Sequence, residues 1–508
     1  MVAASLSQRL QTILIVGRDA DAWITALALR RAFGNRGPSI TVLELPSLLL
    51  PSDVYAAVPA IHVLHKMLGL NDLKVASLCS GVPMIAQRFS NWGRTAPPFF
   101  HPYDAADPPS LDLGFLQYWL KGRSGGLRVA YEDFSLAVAA AKQGRIPVGE
   151  PWPGASCPLP GWQLDARSYA GLMKHLSLKA GVEHRTGRTC EVVRNEKSIT
   201  GVRWEDGDVF EADLYVDASG GEAALIRDMP GAEFESWREW LPSDQILTVS
   251  GTALRPLPAF SEVAAFRGGW VALHPLQDRT AVIAALSRDH ADDQLLVNLP
   301  LVAGVAMEGD AVMTPFEAGL RRTPWSANCV AVGTAAAAVE PLDSAVLYLL
   351  HLTIAQLMDG LSGSFDLAEG AESYNRTIPA RAENIRDFQA AHYRLNRRFD
   401  EPLWDQTRRA SGPPSLESKM TQFKSRGTVP LEPNEPFQES NWASIFVGHG
   451  LVPQSYDPSV DQLPEEHSIA KVQNRLRAVA QAARQMPTVE QFLAADAQPA
   501  PASHEWVS

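Results

Sequence analysis

An α/β fold with a mixed sheet and a helical C-terminal part is predicted for this chain by three stretches of its sequence. Residues 12–17, Thr-Ile-Leu-Ile-Val-Gly, are a β-branched apolar run ending at glycine; Asp21 to Phe33 then sets Ala and Leu at helical spacing, and Ser39-Ile40-Thr41-Val42-Leu43-Glu44 reads as a second buried strand closing in an acid. Strand, helix and strand in that order make the βαβ opening of a dinucleotide-binding, Rossmann-like fold. Further strands are read at Gly201–Trp204, at Phe210–Asp217 and across residues 245–290, and the chain is mostly helical from Ser344 onward.

The connections follow from composition. Thr95–Ser110 and Ile146–Gly161 each contain five prolines and read as ordered loops or crossovers, because proline lacks the N–H that a helix interior needs. Asp165 to Ala180 has a helical pattern, whereas the Pro-rich stretch near 412–436 interrupts the C-terminal helices. These features divide the chain into an α/β body over 1–345, a helical subdomain over 346–493 and a fraying tail over 494–508.

At 508 residues with 46% hydrophobic and 20% charged content, the chain has ample length for a large core. A net charge of −12 argues against a nucleic-acid or anionic-membrane partner. The cysteines Cys79, Cys157, Cys190 and Cys329 show no metal-type spacing, which suits a reducing compartment and predicts no metal site. With no basic leader and no apolar run of transmembrane length, a soluble, cytoplasmic protein is expected.

The first βα turn is Gly17-Arg18-Asp19-Ala20-Asp21-Ala22-Trp23, which keeps only the first glycine of a GxGxxG cradle. Asp19 puts a carboxylate beside the place of a diphosphate, where two unit charges about 4 Å apart repel by roughly 1–4 kcal/mol. Arg18 could offset this, and the turn by itself reads as a plain βα connection. Glu44, 27 residues after Gly17, sits where a ribose-binding acid belongs, or is simply a strand-end carboxylate. Tyr215-Val216-Asp217-Ala218-Ser219-Gly220 and Cys329-Val330-Ala331-Val332-Gly333-Thr334 each end a strand at small residues that would lie near a nucleotide. Gly17, Glu44, Asp217, Gly220 and Gly333 are thus the candidate cofactor-binding residues.

Several further motifs, in order, resemble the flavin-dependent tryptophan halogenase family over nearly the full length. They include Arg88-Phe89-Ser90-Asn91-Trp92-Gly93, Phe100-His101-Pro102-Tyr103, Glu340-Pro341-Leu342-Asp343-Ser344, Arg386-Asp387-Phe388 with His392-Tyr393, and Gly448-His449-Gly450-Leu451-Val452-Pro453. The resemblance implies a FAD-binding fold of the monooxygenase type. It also implies reduced FAD supplied by a separate reductase, hypohalous acid formed at the flavin, and a lysine and a glutamate that direct halogenation of an electron-rich ring.

Carried over residue by residue, the resemblance puts Met84 at the lysine position and Asp343 at the glutamate position. A thioether carries no positive charge and donates no hydrogen bond. Ala345-Val346 replace the Thr-Gly pair that cradles halide, and Trp270-Val271-Ala272-Leu273-His274-Pro275 keeps only the first tryptophan and the proline of WxWxIP. His274 is read as a polar tunnel residue rather than an acid/base group. His101 and Tyr103 resemble the pair that sandwiches the aromatic substrate, and Trp442-Ala443 stand where paired tyrosines grip tryptophan's amino-acid moiety.

The expected function is a halogenase-like protein without standard halogenase activity and with weakened FAD binding, or with none bound, that retains a cavity for a small aromatic ligand. The alternatives are an active two-component halogenase or monooxygenase acting on an indole-like aromatic, served by a flavin reductase, and a purely structural interaction subunit. A homodimer is the default oligomer for an enzyme of this type.

Overall fold

The computed structural model describes residues 10–103, 114–147, 159–291, 293–362, 367–433, 435–462 and 464–496. The predicted opening is present: β1 (Thr12–Gly17), α1 (Asp19–Phe33) and β2 (Ser39–Glu44). The helix begins two residues earlier than predicted, with Asp19 and Asp21 in its first turn, where carboxylates complement the helix dipole. β1 pairs in parallel with β2 on one side and with Leu214–Ala218 on the other, inside a six-stranded sheet that also holds Cys329–Ala331, Trp325–Ser326 and Glu183–Thr186.

A seven-stranded sheet runs in the order Met307–Pro315, Gln245–Gly251, Thr280–Leu286, Gly269–Pro275, Phe260–Phe266, Ala86–Ser90 and Phe99–Pro102. Its last strand corrects the reading of 95–110 as loop throughout. Phe99–Pro102 is an edge strand, and its proline is the terminal residue, where a missing donor costs no ladder hydrogen bond. The remainder of that stretch, 104–110, and residues 148–158 of the other Pro-rich connection lie outside the described residues. A small sheet of β3 (Val54–Ala57), Gly161–Asp165 and Val82–Met84 has the Val82–Met84 strand at one edge, ending at Met84.

The helix after Asp165 spans Ala166–Lys179 and is capped by the Asp165 carboxylate, which accepts from Ser168 N–H. The C-terminal part is helical as expected, with Ala345–Gly360 and the long Leu367–Arg394 helix leading it. The 412–436 stretch is not only an interruption, because Pro414–Arg426 is a helix. Proline at the first helical turn removes a donor that has no intrahelical acceptor anyway. Ala494–Asp496 belong to the Val489–Asp496 helix, and the rest of the tail lies outside the described residues.

Leu347, Leu350, Ile354 and Leu357 of the Ala345–Gly360 helix share one core with β1 and α1. That packing holds the Asp343–Val346 turn against the first sheet. Gly17 is required by the same packing, since a Cβ there would stand 2.3 Å from the Ala218 carbonyl oxygen across the parallel pair. Gly17→Ala is expected to destabilise the protein by about 1–3 kcal/mol through overpacking, read as a lowered urea midpoint with unchanged slope. This glycine is therefore accounted for without a nucleotide.

Candidate functional site

Met84 and Asp343, expected from the resemblance at the lysine and glutamate positions, are linked through Tyr103 and Ser344 in a buried cluster. Met84 is fully buried, and its sulfur accepts from the Tyr103 hydroxyl at 4.0 Å. That hydroxyl is 3.4 Å from Ser344 Oγ, which also accepts from Gln87 Nε2 at 3.4 Å. Asp343 and Ser344 both adopt left-handed backbone, with φ of 57° and 55°. Two consecutive non-glycine residues in that region cost of order 1–3 kcal/mol each, strain that the packed helix after them must hold.

The turn aims Asp343 away from the sulfur and toward a histidine pair. Asp343 Oδ1 lies 3.2 Å from His392 Nε2, and His392 Nδ1 lies 3.0 Å from His449 Nε2. Burial raises the Asp343 carboxyl to about 7, opposed by His101, and lowers His392 to about 3. His449 is also held well below its usual range by burial. At neutral pH both imidazoles are neutral, so neither brings a positive charge to Asp343.

His101 is buried and lowered to about 4. Asn441 Nδ2 stands 3.2 Å from its Nε2, and Asn441 Oδ1 accepts from Gln438 N–H, so Nε2 is the acceptor and Nδ1 carries the proton. That Nδ1, Gln87 Oε1 and Asp343 Oδ2 are buried without a partner. Each such atom costs about 1–3 kcal/mol if left unpaired.

Other candidates fall elsewhere. Trp442 is fully buried, donates its indole N–H to Glu435 Oε1 at 2.6 Å, and packs on Phe388 and Phe446. It is one ring removed from His101, which touches Phe388 at 5.3 Å. Trp270 donates to Glu340 Oε2 at 2.9 Å in the buried core. His274 contacts Gln163 Oε1 at 3.2 Å and is lowered to about 4 by burial, hence neutral. Ala345 N–H is taken by the Leu342 carbonyl at 3.2 Å, and neither Ala345 nor Val346 has a polar side-chain atom to offer an anion.

At the first βα turn the chain supplies its own anions. Arg18 pairs with Glu222 at 2.8 Å, so its charge is engaged there. Asp19, at φ 52°, accepts Leu48 N–H at 3.2 Å. Asp21 Oδ2 faces the Gly333 turn, 3.5 Å from Thr334 N, and a Cβ on Gly333 would stand 2.6 Å from that oxygen. Burial, opposed by the Thr334 N–H and aided by Asp19, raises the Asp21 carboxyl to about 7. Tyr55 of β3 feels both carboxylates, which with burial hold its phenol well above the usual range.

The other nucleotide candidates are also engaged. Both Glu44 oxygens accept from Lys174 Nζ, at 2.8 and 2.6 Å, and Oε1 accepts from the Trp23 indole at 3.3 Å. Asp217 is fully buried and accepts from Ser219 N, Ser219 Oγ, Leu225 N and Ile226 N, which closes its own loop. Gly220, at φ 77°, has open space around its missing Cβ and is required by backbone conformation alone.

The model of one protein family, Tryptophan halogenase, matches residues 12–465. The chain belongs to the tryptophan halogenase family. Among similar proteins, the tryptophan 7-halogenase KtzQ of Kutzneria sp. (strain 744) is 26% identical, with 96% of this chain and 98% of the relative aligned. Among solved structures, BrvH, a flavin-dependent halogenase from Brevundimonas sp. BAL3, is 28% identical with a TM-score of 0.88, covering 96% of this chain and 99% of that one. Xcc4156, a flavin-dependent halogenase from Xanthomonas campestris, is 25% identical with a TM-score of 0.89, covering 98% and 100%.

Membership in the family implies FAD, and the residues present do not fit its diphosphate. The helix N-terminus that would take a phosphate faces Asp19 and Asp21, and the sixth position of the glycine pattern carries the Ala22 methyl. Sequence reasoning identified Asp19 but missed Asp21, Gln87 and the His392–His449 pair as site residues. A carboxylate two positions past Asp19 in the same turn was the available signal for Asp21. Among the described residues no cluster of three or more potential metal ligands occurs, and no helix is long and apolar enough to cross a membrane.

Proposed function

We propose that this halogenase-family protein lacks lysine-dependent halogen transfer, binds FAD weakly, and retains a buried site for a small aromatic ligand. The observation that carries the reading is the Met84–Tyr103–Ser344–Asp343 cluster, in which a thioether stands for the lysine and the acid is hydrogen-bonded to neutral His392. Three unpaired polar atoms beside it, His101 Nδ1, Gln87 Oε1 and Asp343 Oδ2, favour a ligand that both accepts and donates hydrogen bonds. An aromatic heterocycle with a ring N–H meets that requirement, and His101 and Tyr103, whose rings meet edge to face at 5.8 Å, would form one aromatic corner against it.

The protein is expected to purify without stoichiometric FAD and to show no submicromolar FAD binding by fluorescence titration. Tight binding in that titration would refute the weakened-cofactor reading. A second reading, a flavin enzyme working with a separate reductase, draws on the reduced WxWxIP motif. Ala272 stands for its second tryptophan, and that motif is thought to keep substrate from the flavin hydroperoxide. It requires an oxygenated aromatic product when reduced FAD and oxygen are supplied, or a halogenated one that disappears without chloride and bromide.

A further inference from the structure

A cavity of about 1150 Å³, with a lining that does not include Met84, His101 or Asp343, opens between the Phe99–Pro102 strand and the C-terminal helices. Its walls include Arg94, Arg123 and Arg397 together with Phe99, Trp119 and Tyr131. Lys142 and Glu132 also line it but cancel: Lys142 Nζ pairs with Glu132 at 2.7 Å and Asp133 at 2.8 Å. Glu132 spends its other oxygen on Phe100 N–H at 2.7 Å. Among the described residues none of the three arginines pairs with a carboxylate, so the cavity carries excess positive charge in a chain of net charge −12.

Arg397 and Arg123 are positioned by contacts that are not ion pairs. Arg397 N–H donates to the Trp92 carbonyl at 2.7 Å, and its guanidinium lies over Gly450, where a Cβ would come within 2.4 Å of Cζ. Gly450, at φ 85°, provides both the left-handed turn and the room for that guanidinium. Arg123 lies 5.3 Å above the Trp119 ring. A guanidinium on an aromatic face keeps its N–H fork free for a planar anion.

We propose that this groove binds an acidic peptide segment bearing aromatic side chains. The carboxylates would pair with Arg94, Arg123 and Arg397, and the rings would lie on Phe99, Trp119 and Tyr131. Size favours a peptide over a single small molecule. The cavity exceeds the roughly 300–1,000 Å³ of ordinary ligand pockets. It continues past Arg123 and Val452 into a recess of about 430 Å³ lined by Pro453–Tyr456. A nucleic acid matches the arginines locally but meets the repulsion of the whole chain at longer range.

Fluorescence anisotropy with the full chain tests this. The probes are a labelled peptide of alternating glutamate and phenylalanine, its lysine-for-glutamate counterpart, and a labelled oligothymidylate. The acidic peptide alone is expected to bind, with affinity falling as salt rises and at least about tenfold weaker in the Arg94→Glu/Arg397→Glu variant. Both side chains are exposed, and the thermal midpoint serves as the folding control. If the double variant folds poorly, Arg94→Gln replaces it and is expected to weaken binding in the same direction. Failure of the acidic peptide to bind, equal binding of either other probe, or unchanged affinity in a folded variant overturns the proposal.

Discussion

Asp19→Gly combined with Asp21→Ala is expected to raise FAD affinity at least about tenfold, since each carboxylate opposes a diphosphate by roughly 1–4 kcal/mol and 1.4 kcal/mol is a factor of ten. Asp19→Gly also relieves a non-glycine residue at φ 52°. Asp21→Ala leaves Thr334 N–H free to meet a phosphate oxygen. The pH dependence separates the two. Asp21, raised to about 7, is uncharged below neutrality and charged above it, so FAD affinity of the unaltered protein should rise as pH falls through 7. In Asp21→Ala that pH dependence should flatten. Titrations at several pH values check both statements, and an unchanged affinity in the double variant would show that these carboxylates do not set it.

Met84→Lys is expected to remain inactive with chloride and bromide when reduced FAD is supplied, and to melt at a lower temperature. Met84 is fully buried beside an uncharged phenol, and the nearby His101 and His392 are both neutral at pH 7. An ammonium placed there pays a desolvation cost of several kcal/mol, offset only to the extent that it ionises Asp343. Asp343 is already bonded to His392, and neither Ala345 nor Val346 has a side-chain donor for a halide. Product analysis by mass spectrometry and a thermal melt give the two readouts. Halogenated product from this single change would mean that the turn, the acid and the halide position matter less than the lysine alone.

The Met84 position was legible because an intact motif, Arg88-Phe89-Ser90-Asn91-Trp92, anchors the alignment a few residues downstream. Tyr103 was legible for the same reason, and the structure brings it to the Met84 sulfur. Trp442 stands among the candidate substrate residues by its position where the family's paired tyrosines lie, and its indole N–H donates to Glu435 in the core. No local pattern announces Glu435 as the partner of an indole seven residues on.

The sequence by itself determined the βαβ opening, the helical run from Asp165 and the family, and it raised the expectation of departures at Met84, Asp343 and Ala345-Val346. Each rests on periodicity or an ordered motif, which act within a few residues along the chain. Only the tertiary structure decided what surrounds those residues. His392 reaches Asp343 across 49 residues, and Thr334 reaches Asp21 across 313. Such contacts depend on how the Ala345–Gly360 and Leu367–Arg394 helices pack against the sheets, so burial and hydrogen-bond partners, which set each group's charge, emerge only once the chain is folded.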